Sequence, residues 1–177
     1  MMIQGVLGPI DTAELGQTLM HEHITCADWS MRMNFGARFF EFDQVAEIAA
    51  GQLGKAKARG VRTVVDGPPV TLGRDIRLIR EVARRTGLNF IASTGFYYQE
   101  EPWLYFRDEE EIYDLLMGDC ADGISGTDSK PGILKAGVGR GGLTPLLQKV
   151  LHATGRVAKE TGLPLFCHHD PSTAAGG

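Results

Sequence analysis

The sequence predicts an α/β fold built on a parallel sheet, and three observations carry that expectation. Short β-branched runs alternate with amphipathic helical stretches through most of the chain. Most of the 23 glycines fall between these segments, as tight βα and αβ turns require. The isolated polar residues of the apolar runs (His21, His23, Asp66, Thr94, Lys135 and His168) stand near the C-terminal ends of those runs. Two architectures fit such an order, an open doubly wound sheet and a (β/α)8 barrel. No Gly-rich phosphate loop follows the first strand of the array, which weakens a nucleotide-binding version. Polar residues at strand C-termini are where a barrel keeps its chemistry.

The elements follow in order. Residues 3–16 read as a short strand and turn, with Ile3 and Val6 apolar, Gly8-Pro9 as a turn signal and 11–16 as one helical turn or loop. The run Thr18-Leu19-Met20-His21-Glu22-His23-Ile24 is the next strand. Residues 25–41 read as a long loop carrying Trp29, Met31, Met33, Phe35, Phe39 and Phe40, either a flap over the core or one wall of a substrate pocket. Asp43 can cap a helix to about residue 59, whose Val45, Ile48, Ala49, Leu53 and Ala56 recur at helical spacing. Val61 through Asp66 is a β-branched strand. A helix over about 74–86 presents Ile76, Ile79, Val82 and Ala83 inward, and Gly87 stops it. Residues 89–94 form a strand, 96–107 an aromatic loop, and the acids 108–111 open a helix to about Cys120 at its positive end. A strand over 132–137 follows. Thr144-Pro145 starts a helix to about Thr161, a cap followed by proline at the first helical position, with Leu147, Val150, Leu151, Thr154, Val157 and Ala158 on its buried side. Residues 164–168 are the last strand. The tail Ser172 to Gly177 has no apolar core of its own.

Composition narrows the function classes. At 177 residues the chain is long enough for a single domain, 1–177, with a real core. A formal net charge of −4 gives no reason to expect nucleic acid or an anionic membrane as partner. The three cysteines, Cys26, Cys120 and Cys167, are widely spaced and form no CxxC pattern, so reduced thiols in a cytoplasmic protein are expected. The N-terminus has no basic, signal-like region, and no apolar stretch approaches the roughly 20 residues of a membrane span.

The chemistry concentrates in four residues. On a strand, His21 and His23 project to one face and Glu22 to the other, so two imidazoles leave one strand end together. Such a pair forms half of a metal site, although His-x-His also arises by chance. Lys135 lies in the otherwise apolar run Ile133-Leu134-Lys135-Ala136. A buried ammonium is costly, so either its head reaches a carboxylate or the rim, or burial and nearby cations lower its pKa. A neutral amine of the second kind can take up CO2 and become a carbamate, an anionic ligand with two oxygens able to bridge two metal ions. His168 ends the last strand and completes a set of four candidate ligands on the first, fourth and fifth strands of the parallel array.

These residues stand in longer motifs. Leu19 through Ile24, Gly60 through Asp66, Leu72-Gly73-Arg74-Asp75, Ala92-Ser93-Thr94-Gly95, Gly132 through Ala136, and Gly162-Leu163-Pro164 through His168 together resemble the phosphotriesterase family of the amidohydrolase superfamily, which includes the phosphotriesterase-like lactonases. The resemblance is collinear over nearly the whole chain. It implies a (β/α)8 TIM barrel with a centre of two divalent metal ions, usually zinc. His21 and His23 would bind the more buried metal, Lys135 as the carbamate would bridge both, and His168 would bind the more exposed one. His169 occupies a position usually held by threonine and is not assigned as a ligand. The resemblance further implies a hydroxide between the metals that attacks an ester carbonyl or a phosphorus centre. Tyr97 matches a pocket tyrosine of the lactonase branch, where phosphotriesterases proper tend to have tryptophan. That favours a lactone or carboxylic ester as substrate, with organophosphates as side substrates.

The resemblance also implies a histidine on strand six and an aspartate on strand eight, and the sequence has no such strands. A (β/α)8 barrel takes about 250 residues, so the expected architecture is a barrel truncated after about five of eight strands, with an open sheet edge, and the expected gene product is incomplete. The alternative is a non-catalytic half-barrel that pairs with itself as a homo-oligomer or with another chain. A relation to TatD-like nucleases, which share His-x-His, is disfavoured by a lysine where that branch places glutamate and by the lack of a basic surface signal.

Overall fold

In the computed structural model, which describes residues 1–172, a small hairpin precedes a parallel sheet. The hairpin pairs β1 (Met2–Gly5) antiparallel with β2 (Gly8–Asp11). Gly8-Pro9 has the composition of a turn, yet it opens β2. Pro9 lies opposite Gln4 in a two-stranded ribbon, where its missing N–H is tolerated. A 3-10 turn (Thr12–Glu14) then leads into β3 (Gln17–Glu22).

The remaining elements alternate as the periodicity requires: α1 (Trp29–Phe35), α2 (Phe42–Lys57), β4 (Val61–Asp66), α3 (Ile76–Thr86), β5 (Asn89–Gly95), α4 (Glu109–Ala121), β6 (Ile133–Val138), α5 (Pro145–Thr161) and β7 (Leu165–His169). The five strands lie in the order β3-β4-β5-β6-β7, every neighbour parallel. They curl into a half-barrel with helices between them, the α/β architecture of a truncated TIM barrel. The tail residues 173–177 lie outside the described residues.

Local chemistry accounts for the helix ends. Asp108 and Glu111 form a reciprocal capping box on α4. Thr144 caps α5 ahead of Pro145. Gly87 and Gly162 take left-handed conformations that close α3 and α5. Two starts differ from the sequence reading. Helix α2 is capped by Glu41, which accepts from Asp43 and Gln44, so the cap lies two residues before Asp43. Helix α3 begins at Ile76 behind the cap Asp75, and Arg74 turns inward instead. The 25–41 loop contains α1 and a 3-10 turn at Gly36–Arg38, and the 96–107 loop contains a 3-10 turn at Pro102–Phe106. Their aromatic crowding hides the helical period.

Packing divides by strand face. Val64, Phe90 and Ala92 face α2 and α3, while Leu134 and Leu165 face α4 and α5. On the inner face Val65, Ile91 and Ile133 meet Ile10 of the hairpin, with Ile3, Leu15 and Phe166 beside them. The hairpin is therefore the floor of the half-barrel. Alternation puts Lys135, two residues beyond Ile133, on the same inner face. Of the apolar face expected on α2, Ile48 remains 55% exposed. It lines an open groove with Ile24 and Leu53 beside β3, an outer strand of the sheet. Among the described residues no helix is long and apolar enough to cross a membrane.

Candidate active site

The C-terminal end of β3 is pinned by the neighbouring β4 and the loop after it. The backbone N–H of Ile24 donates to Asp66 Oδ1 at 2.8 Å, and Gly67 N–H donates to the Glu22 carbonyl at 2.8 Å. Gly73, at φ 88°, lies so close to Ala27 that a Cβ there would fall on its backbone. Residues 22–27 are thereby held against the loop that follows β4.

This anchoring brings His21 and His23 together. Their ring centroids are 5.1 Å apart and their Nε2 atoms 3.1 Å apart. Lys135 reaches them from β6. Only 1% exposed, it places Nζ 2.8 Å from His21 Nε2. Its height is set by register, with Gly95 of β5 on one side and Phe166 of β7 on the other. At Gly95, with φ 141°, a Cβ would fall on the Lys135 carbonyl, so glycine is what lets β5 and β6 close here.

His168 stands one layer further along β7, opposite Gly137. The Tyr97 and Tyr98 rings lie 5.0 and 5.8 Å from its imidazole, the second of them stacked on it. Two glycines make room for these tyrosines. A Cβ on Gly137 would come within 3.0 Å of the Tyr97 ring, and one on Gly139 within 2.7 Å of the Tyr98 ring. His169, the next residue on β7, belongs to the opposite face, where its buried Nδ1 has no hydrogen-bond partner among the described residues.

The electrostatics shift four bases toward their neutral forms. Burial is the first cause that lowers the pKa of His21, His23, His168 and Lys135. The Lys135 charge lowers all three imidazoles further, and His168 acts in the same direction on His21 and His23. Among the described residues Lys135 forms no ion pair. Burial pushes the Asp66 carboxyl up to about 7 against the opposing Ile24 hydrogen bond, and pushes the Tyr97 hydroxyl up to about 12. Tyr97 is thus a neutral donor at ordinary pH.

Of the residues expected from the sequence, His21 touches both His23 and Lys135. His168 and Tyr97 meet each other, and His168 joins the first three through their mutual electrostatic influence. No three His, Cys, Asp or Glu side chains among the described residues gather as a ready-made metal site. The converging group is two imidazoles and an amine, nitrogens that can offer a lone pair to a cation once deprotonated. Two neighbours carried no distinctive sequence signal. Cys26 places Sγ 3.1 Å from His23 Nδ1, and its thiol pKa is raised by burial and then by Asp66. Tyr98 stood within an aromatic-rich loop and gains its meaning from Gly139.

A sequence model described as the phosphotriesterase family matches residues 1–176. A phosphotriesterase homology protein of Mycobacterium tuberculosis is 39% identical over 170 residues, covering 91% of this chain and 52% of its own length. An aryldialkylphosphatase of Saccharolobus solfataricus is 34% identical, covering 94% and 54%. An N-acetyltaurine hydrolase of Rattus norvegicus is 28% identical, covering 94% and 56%. The chain spans about half the length of these relatives.

Proposed function

Because the chain belongs to the phosphotriesterase family, we propose that it carries one side of a two-metal hydrolase centre, with His21, His23, Lys135 and His168 as its ligands. The observation that supports this most is the contact of buried Lys135 with His21, with no carboxylate ion pair to Lys135 among the described residues. A lysine kept there only for packing would be a costly choice. As a neutral amine it would add to CO2: an N–C bond forms as one C=O π bond breaks, the nitrogen's proton passes to solvent, and the carbamate would offer two oxygens sharing one negative charge beside the imidazoles. Zinc suits such nitrogen and oxygen donors, as other divalent ions do. Bound divalent ions supply polarisation of the substrate oxygen and activation of water.

The chain's own residues supply position. The pinned turn after β3 presents the imidazoles, Gly95 sets the height of Lys135, and the two tyrosines hold the His168 ring. Tyr97 offers an un-ionised hydroxyl to a substrate oxygen. A lactone or carboxylic ester is the substrate class we favour, with phosphotriesters as side substrates. The histidine of strand six and aspartate of strand eight that the resemblance implies have no counterpart in the five described strands, so the proposed activity requires those two residues in addition.

The test is zinc titration in bicarbonate buffer, followed by hydrolysis assays with a lactone, an aryl carboxylic ester and a phosphotriester. An N-acyl amide is included because one relative bears the name of an amide hydrolase. Assays run with the chain alone and with a complementing three-strand polypeptide. Zinc uptake and ester hydrolysis that Lys135→Ala abolishes are expected; full activity in Lys135→Ala would remove the bridging role.

A further inference from the structure

Cys26 touches the ring nitrogen of His23 that faces away from the cluster. Its Sγ lies 3.1 Å from Nδ1, while His23 Nε2 lies 3.1 Å from His21 Nε2. A neutral imidazole carries one ring proton, and the partners decide which nitrogen holds it. His21 Nε2 also contacts Lys135 Nζ at 2.8 Å. If the lysine donates, the single lone pair of His21 Nε2 is engaged and cannot accept a proton from His23. If His21 Nε2 carries a hydrogen, that hydrogen goes either to a neutral Lys135 amine or to a lone pair on His23 Nε2. When the lysine donates, and when His23 accepts, the His23 proton belongs on Nδ1, where the cysteine sulfur can accept it.

We propose that Cys26 is a positioning residue for His23: its sulfur accepts the Nδ1–H and holds the tautomer whose Nε2 lone pair faces His21. The backbone supports this arrangement independently. The turn that returns Cys26 to its own histidine is fixed on both sides, by Ile24 on Asp66 and by Ala27 against Gly73. Histidine ligands characteristically donate their second N–H to a carboxylate, carbonyl or water, and loss of that partner lowers metal affinity about 10–100-fold. Here a thiol fills that place. The effect on metal affinity rests on the reading of His23 as a ligand; the tautomer does not.

Long-range 1H–15N spectra of the 15N-labelled chain test the proposal with wild type, Cys26→Ser and Cys26→Ala, each metal-free and zinc-loaded. Zinc affinity is read in parallel by competition with a chromogenic chelator. Wild type should hold the His23 proton on Nδ1 in both states. Cys26→Ser, which keeps an acceptor, should preserve that pattern and an affinity within about threefold of wild type. Cys26→Ala should show mixed tautomers when metal-free and bind zinc about 10–100-fold more weakly. An alanine variant with the wild-type tautomer and affinity overturns the proposal, and so does wild type with its proton on Nε2, which needs no variant to fold. If wild type takes up no zinc, the metal reading fails, while the metal-free spectra still decide the role of Cys26.

Discussion

Lys135 Nζ lies 2.8 Å from Nε2 of His21, joining two residues 114 positions apart across the inner face of the sheet. The lysine is 1% exposed and burial lowers its pKa. The partner it meets is itself a base. This contact therefore opposes stability in the chain by itself, and the proposed centre, which uses the amine, would give it a reason.

Lys135→Met separates these two effects. Methionine fills a similar volume with no charge. Relieved of a buried polar group, the metal-free variant should be about 1–3 kcal/mol more stable in urea melts. The same variant should lose all hydrolysis of ester substrates in the complemented chain. A variant that is both less stable and still active would contradict both halves.

Asp66 makes a pH prediction. Burial raises its folded pKa from 3.8 to about 7, with the Ile24 N–H opposing and the Glu22 charge adding to the rise. The folded chain thus keeps a proton that the unfolded chain releases between about pH 4 and 7. Over that window this group's contribution to stability falls as pH rises, by at most about 1.4 kcal/mol per pH unit, and above it the loss is constant. Asp66→Asn retains an oxygen for Ile24 and has no proton to lose. Its stability relative to wild type, measured in chelator-treated protein, should climb from pH 4 to 7 and then level. A flat difference would mean that Asp66 titrates normally.

How far the sequence reached follows from the same residues. The order of strands and helices was legible because their periodicities are strong, and Ile76, Ile79, Val82 and Ala83 are buried as spacing alone requires. The places of His21, His23 and His168 at or just beyond strand ends, and of Lys135 within β6, were legible because polar residues interrupt apolar runs. Helix α1 was not, since Trp29, Met31, Met33 and Phe35 alternate without a helical stripe, and all four remain exposed. Ile48 obeys the helical period yet faces the open groove beside β3, because periodicity identifies a face and only the sheet decides whether that face is covered. Cys26 depended on a turn fixed by Asp66 and Gly73, residues about 40 or more positions away, which no local pattern encodes.

The Arg74–Asp119 pair supports the strand beside Lys135. Arg74 donates to Asp119 at 2.6 Å and to the Ser93 carbonyl at 3.1 Å, and Thr94 Oγ1 donates to the same Asp119 oxygen at 2.6 Å. This ties β5, α4 and the start of α3 together just before Gly95. Asp119→Ala leaves a buried guanidinium unpaired and should lower stability by about 3–5 kcal/mol. The double variant Arg74→Met with Asp119→Leu should recover most of that loss. Chemical denaturation of all three chains tests this, and a double variant as unstable as Asp119→Ala would place the damage in Thr94 or in packing instead.

Tyr97 makes a prediction about the proposed lactone substrate. Its ring is fixed between Gly137, Tyr98 and His168, and its hydroxyl, pushed up to about 12, stays protonated across the working range. A fixed neutral donor beside a reacting carbonyl strengthens its hydrogen bond as charge develops on oxygen, and removal of such a donor lowers kcat by about 10²–10³. Tyr97→Phe keeps the ring and should leave thermal stability nearly unchanged. With a lactone, kcat should fall by at least about tenfold in the complemented, zinc-loaded chain while KM moves little, because the interaction is realised mainly in the transition state. A phosphotriester with a good leaving group relies less on that donor and should lose less. Equal losses on both substrates would make Tyr97 a general support of His168, and no loss on either would leave it a packing residue.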